Sequence, residues 1–301
     1  MGRANDITTM DAQNPSALPT AASRAPLHVG RVGLVVRDLQ TLARYYRELL
    51  GLTEISRRDD GVTLGTGDTP LLDLTRRTGA LPDDPREAGL YHTAFLMPTR
   101  SDLGRWLLHI ARARIPLTGA SDHEVSEAIY LDDPEGNGIE VYVDRPAEQW
   151  RREDGMIRMV TEQLDLESLA ASADGASYDG APLGLRVGHV HLRVGDVDRA
   201  EAFYRDLLGM RVTRRRHGAT FLSTGGYHHH LAGNIWHSNG AGQRNPDRTG
   251  LDVVTLHART GEDLAAAKAR FAAGGTAIQE IEDGFEVADP WGTRIRILPE
   301  A

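Results

Sequence analysis

The chain has 301 residues, 40% of them apolar and 26% charged, with a formal net charge of −9, 12 histidines and no cysteine. That length suits about two ordinary domains, and the composition lies close to the soluble globular average, which excludes a disordered, collagen-like or membrane-spanning chain. Without cysteine there is no disulfide, zinc ribbon, iron–sulfur cluster or thiol nucleophile, so a metal site has to be built from His, Asp and Glu. The negative charge argues against a nucleic-acid partner, whose phosphates call for clustered Lys and Arg.

Residues 1–25 are rich in Ala, Ser, Thr, Pro and Asn without periodicity, and a disordered N-terminal tail is expected there. The stretch lacks the apolar region of a signal peptide and the Ser/Thr of a myristoylation site, so a cytoplasmic location without a membrane partner is expected. Next, Val32-Gly33-Leu34-Val35-Val36-Arg37-Asp38-Leu39 is matched later by Val190-His191-Leu192-Arg193-Val194-Gly195-Asp196-Val197. The match continues from Tyr45–Gly51 to Phe203–Gly209. Each copy predicts a strand, an Asp N-cap and a helix; in the first, Leu39, Leu42, Tyr46, Leu49 and Leu50 recur at spacings of three and four on one face. Gly51 and Gly209 stand where a helix C-cap belongs.

A strand over Leu90–Met97 and a helix over Ser101–Ala113 follow, then a turn at Asp133-Pro134 feeding an alternating strand to Tyr142. The same series returns as Leu251–Ala258, Thr260–Ala273 and Asp289-Pro290 to Leu298. Four units of strand, helix and strands result, none able to bury its apolar face alone. Between the halves the composition changes at 147–184: a polar stretch from Ala147 to Leu169, expected helical, runs into a loop at Ala171–Ser177. The expected domains are therefore 26–146 and 185–301, joined by a connector.

With these pieces in place, the chain resembles the vicinal oxygen chelate superfamily over nearly all of 27–300. More narrowly it resembles its two-domain extradiol dioxygenases of the catechol 2,3-dioxygenase type. The narrower resemblance is carried by Gly188-His189-Val190-His191-Leu192, Tyr227-His228-His229-His230-Leu231-Ala232, Asp122-His123-Glu124-Val125-Ser126 and the stretch from Tyr130 to Tyr142. It implies an α+β fold of four βαβββ modules, two per domain, with half-open cup-shaped mixed sheets. It further implies that a module's first strand offers one metal ligand and its last strand another. The first-strand positions hold Arg31, His92, His189 and Val253; the last-strand Glu position holds Glu140 in module two and Arg296 in module four. Pairing modules two and three gathers His92, Glu140 and His189 in one cup. It leaves Arg31, Val253 and Arg296 in a second cup without ligands. Two imidazoles and a carboxylate are the facial triad of non-haem Fe(II) oxygenases, and the same donors suit Mn(II) or another divalent metal.

By the same resemblance His229 matches the family's acid–base histidine, Tyr130 its substrate-contacting tyrosine and His123 a histidine beside the substrate hydroxyl. Strand alternation would put His228 and His230 on one face and His229 on the other. His191 is expected on the face opposite His189, and His237 either lines the pocket or closes a turn. The implied activity, in aromatic compound catabolism, inserts both atoms of O₂ into a catechol-type substrate to give a ring-opened semialdehyde. Association through sheet edges into a homo-oligomer is compatible with the superfamily. Two other readings stay open: a glyoxalase I-like metal-dependent lyase or isomerase, and a metal-free small-molecule-binding resistance protein. The first typically uses four protein ligands, and the last strand of module three offers no carboxylate; the second has no need of a His/His/Glu set.

Overall fold

Residues 20–300 are described in the computed structural model; the expected tail as far as residue 19, and residue 301, lie outside them. Module one comprises β1 (Leu27–Val36), α1 (Leu39–Leu50), β2 (Thr53–Arg57), β3 (Gly61–Thr66) and β4 (Thr69–Arg76). Module two comprises β5 (Gly89–Leu96), α2 (Arg100–Ala113), β6 (Gly119–Asp122), β7 (Ser126–Asp132) and β8 (Gly138–Asp144). The connector carries β9 (Arg152–Glu153), β10 (Met156–Ile157), β11 (Glu162–Gln163) and α3 (Leu166–Ala171). Module three comprises β12 (Arg186–Arg193), α4 (Val197–Ala202), β13 (Arg211–Arg216), β14 (Ala219–Ser223) and β15 (Leu231–Asn234). Module four comprises β16 (Gly250–Ala258), α5 (Gly261–Ala273), β17 (Gln279–Ile281), β18 (Gly284–Ala288) and β19 (Arg294–Pro299).

The helices begin and end as their sequences direct. Asp38 accepts the Thr41 N–H at the start of α1, Gly51 closes it at φ 68°, and Leu39, Leu42, Ala43, Tyr46, Leu49 and Leu50 form its buried face. Asp196 caps α4 in the same way. Val32, Leu34 and Val36 of β1 and their counterparts Val190, Leu192 and Val194 in module three belong to one apolar core shared by both sheets and the helices. Among the described residues no helix is long and apolar enough to cross a membrane.

One sheet has the order β17-β18-β19-β16-β1-β4-β3-β2, the other β11-β6-β7-β8-β5-β12-β15-β14-β13. Modules one and four therefore share a sheet, and modules two and three share the other. The sheets therefore cross the expected division into 26–146 and 185–301, and each half of the chain gives one module to each sheet. The physical reason lies at the sheet centres, where the first strands pair antiparallel, β1 with β16 and β5 with β12. That pairing hides the edge each module would otherwise expose. Neighbouring modules are tied by side chains instead. The Tyr46 hydroxyl donates to Asp133 Oδ2 (3.0 Å) and the Tyr204 hydroxyl to Asp289 Oδ2 (2.8 Å). Asp133 Oδ1 also accepts the Glu135 and Asn137 N–H groups, so the repeated Asp-Pro turn is a tertiary anchor as well as a bend.

Two expectations are corrected. The stretch 147–169 is helical only at its ends, in a single 3₁₀ turn at Ala147–Gln149 and the start of α3 at Leu166; between them β9 and β10 form a hairpin and β11 joins the sheet edge beside β6. Asp154-Gly155 breaks the helix, because both residues take positive φ (51° and 77°) in the tight turn between β9 and β10. Residues 20–25, expected in the tail, belong to the packed body. Ala22 and Ala25 are buried, and His230 Nε2–H donates to the Ala22 carbonyl (2.9 Å).

Candidate metal centre and its cavity

The hairpin turn at Asp133–Asn137 pairs Asp132 with Gly138 and therefore Tyr130 with Glu140. Parallel pairing of β8 with β5 sets Glu140 beside Ala94, and antiparallel pairing of β5 with β12 sets Ala94 beside His189 and His92 beside His191. Cross-strand partners share a sheet face. One transverse row thus reads Tyr130, Glu140, Ala94, His189, and the next holds His92 and His191 on the same face. The small Ala94 leaves the space between Glu140 and His189 to their own side chains.

Glu140 Oε2 lies 3.0 Å from His92 Nε2 and 3.2 Å from His189 Nε2, and one ligand atom from each residue falls within 4.8 Å of the others. All three residues are buried. Nitrogen and oxygen ligands about 2.0–2.2 Å from one ion stand roughly 3 Å apart, so the donor set fits a single divalent metal. His92 Nε2 faces the carboxylate without forming a hydrogen bond to it, a buried nitrogen left for another partner. Burial pushes His189 down to about 4 against the pull of Glu140. Burial also works on Glu140, pushing its carboxyl up, but His189 and His92 outweigh that and hold it well below the usual carboxylate range. A neutral imidazole beside an ionised carboxylate is the form in which both act as ligands. Gly188 serves this arrangement, because a Cβ there would collide with the Tyr142 hydroxyl, whose ring packs on His189.

The three histidines 228–230 precede β15, outside any strand, and each finds a different partner. His228 Nε2–H donates to Asp144 Oδ1 (2.8 Å), which leaves its Nδ1 as an acceptor for the Nδ1–H of His229 (2.7 Å). The Nε2 of His229 is then a bare lone pair with no hydrogen bond from the described residues. Burial, together with the neighbouring His189 and His228, holds His229 well below its ordinary value and so neutral. On the other side of the centre, His123 Nδ1–H donates to the Val160 carbonyl (2.6 Å), and its Nε2 accepts the Tyr130 hydroxyl (2.7 Å). Burial pushes the Tyr130 phenol well up, so it stays a hydroxyl.

His92, His123, Tyr130, Glu140 and His229 line one cavity of about 490 Å³. His189 lies behind His229, ring against ring at 4.0 Å between centroids. Tyr91, Met159, Phe221 and Trp236 supply an aromatic and apolar wall. His191 also lines the cavity, which corrects its expected position: residues two apart on a strand share a face, and its ring packs on Tyr91 and accepts from Asn234 Nδ2 (3.1 Å). His237 falls in an exposed turn. Asp144, His228 and the connector residues Met159 and Thr161 were not expected at the site. Only the unusual histidine run hinted at them.

In the other sheet the matching row holds ion pairs. Arg31 pairs with Thr255, Thr255 with Arg296 and Arg296 with Glu286 across successive strands. Arg31 Nε stands 3.3 Å from Asp73 and Arg296 Nη2 3.1 Å from Glu286. Val253 lies two residues before Thr255, on the same face. Guanidinium groups thus occupy the places that His189 and Glu140 hold in the first sheet.

The model of the Glyoxalase/Bleomycin resistance protein/Dioxygenase superfamily matches residues 28–141 and 186–297. A catechol-2,3-dioxygenase of Bacillus subtilis (strain 168) is 37% identical over 268 residues, which cover 87% of this chain and 94% of that protein. Among solved structures, one from Bacillus subtilis subsp. subtilis str. 168 superposes with a TM-score of 0.61 at 14% identity, covering 90% of this chain and 84% of that one. Glyoxalase I from Zea mays superposes with a TM-score of 0.56 at 16% identity, covering 92% and 93%. At such identities the structural likeness is one of fold.

Proposed function

The chain belongs to the Glyoxalase/Bleomycin resistance protein/Dioxygenase superfamily, and we propose that it is an extradiol dioxygenase, cleaving a catechol-type ring with O₂ at one divalent metal held by His92, Glu140 and His189. The observation that carries this reading is the buried His/Glu/His set, of which His92 and Glu140 line an aromatic-walled cavity. The similarity to a catechol-2,3-dioxygenase over most of both chains supports it. When bound there, Fe(II) supplies the electron transfer to O₂ that side chains cannot, and Mn(II) accepts the same donors.

The residues contribute the rest. His229 Nε2, kept bare by the Asp144–His228 pair, takes a proton from a substrate hydroxyl, holds it and later returns it. Tyr130, its hydroxyl turned to His123, offers a polar contact beside the second substrate oxygen. Tyr91, Phe221 and Trp236 flank the ring and exclude water. The product is a ring-opened semialdehyde. A four-ligand lyase site is disfavoured on a specific ground: by strand register the counterpart of Glu140 in module three is Ala232, which pairs with His191.

The test is metal analysis of protein purified without oxygen, followed by O₂ uptake with catechol and 4-methylcatechol. Alanine at His92, Glu140 or His189 should abolish tight metal binding and O₂ uptake while the far-ultraviolet circular dichroism is kept. Retention of metal and activity in all three variants would sink the reading.

A further inference from the structure

We propose that the preferred substrate is a catechol bearing an acidic side chain, and that Arg216 recognises its carboxylate; this rests on the ring-cleavage reading above. Arg216 ends β13 and is the one Arg or Lys among the described residues lining the cavity. Its neighbours on the strand are paired with acids, Arg215 with Glu201 (2.5 Å) and Arg214 with Glu153 (3.9 Å). Arg216 has no carboxylate within 4.0 Å among the described residues. Its guanidinium is held by two neutral acceptors from the connector instead: Nη1 donates to Thr161 Oγ1 (2.8 Å) and Nη2 to the Met159 carbonyl (2.6 Å). Burial works against its charge, and Arg214 adds to that. An isolated, partly desolvated cation gains most from an anion delivered by the ligand.

The placement gives the substituent a direction. Met159 and Thr161, which hold Arg216, flank Val160, whose carbonyl holds His123, the partner of Tyr130, so Arg216 stands at the His123 end of the cavity. A catechol whose hydroxyls face the His/Glu/His set can therefore extend a carboxylate towards Arg216. Two of the five guanidinium N–H groups are used by the connector, which leaves others for a carboxylate and pins the fork in place beforehand.

The experiment compares kcat/KM for 3,4-dihydroxyphenylacetate, 4-methylcatechol and dopamine in the metal-loaded enzyme. The expected order is anion, neutral, cation. In Arg216→Gln the advantage of the anion over the neutral substrate should fall roughly 10–100-fold, the loss of one charge-assisted contact, and the disadvantage of dopamine should shrink; Arg216→Lys should keep part of the preference. Wild-type enzyme that favours 4-methylcatechol, or a ratio unmoved by Arg216→Gln, overturns the proposal. Calorimetry on zinc-loaded protein, which binds without turnover, separates the two readings. Tighter binding of 3,4-dihydroxyphenylacetate that depends on Arg216, in an enzyme that cleaves none of the three, supports carboxylate recognition by Arg216 and overturns the ring-cleavage reading. Equal affinity in wild type and variant overturns the proposal.

Discussion

Asp144, His228 and His229 act as one chain of donors and acceptors, and the state of the last imidazole depends on the first carboxylate. Asn at 144 can present N–H where the carboxylate accepted. His228 Nε2 would then accept, its Nδ1 would carry the proton, and His229 would be driven to protonate the nitrogen that faces the cavity. We expect Asp144→Asn and His229→Gln to keep the metal and substrate binding and to lower kcat, the latter by about 10²–10⁴-fold. Loss of metal from His229→Gln would make it a ligand. His229 was readable from its resemblance to a family motif. Asp144 was not, because nothing in the linear order links residues 144 and 228. His191 was misplaced for the opposite reason: two-residue alternation, applied strictly, already puts it beside His189.

Among the elements, the connector departs furthest from expectation. Ile157 and Met159 form an apolar cluster with Val125, against which Trp150 and Phe221 pack, and Val125, Met159 and Phe221 of this cluster line the cavity. The Val160 carbonyl orients His123 and the Met159 carbonyl holds Arg216. Ile157→Ala should cost about 2–5 kcal/mol of stability, read from a denaturant midpoint, and raise KM for a catechol while the metal content holds. An unchanged midpoint would mean that the connector is a passive link. Helix α1 was legible because an amphipathic period and two caps are local signals. The connector was not, since two-residue strands carry no period and backbone carbonyls have no side-chain signature. The same holds for residues 20–25, which dock through the carbonyl of Ala22.

At the scale of the molecule, the repeat revealed four modules, and the ligand inventory implied by the family resemblance indicated which two share a cup. The domain boundaries followed chain order, however, and strand pairing between first strands does not. One consequence is that the proposed metal centre spans the connector, with His92 and Glu140 before it and His189 after it. A chain divided in the exposed loop at Gly175–Ser177 should give halves that bind metal weakly alone and tightly when mixed, measured by metal retention after gel filtration. Tight binding by the first half alone would show that His189 is dispensable.

The central claim is a single centre that runs the chemistry. Its most direct test is an anaerobic Fe(II) titration of the metal-free protein, reading the initial rate of O₂ uptake with a catechol at each addition. We expect the rate to rise linearly, break at one Fe(II) per chain and consume one O₂ per catechol. A break at two Fe(II) per chain, or full O₂ uptake with no metal added, would contradict it.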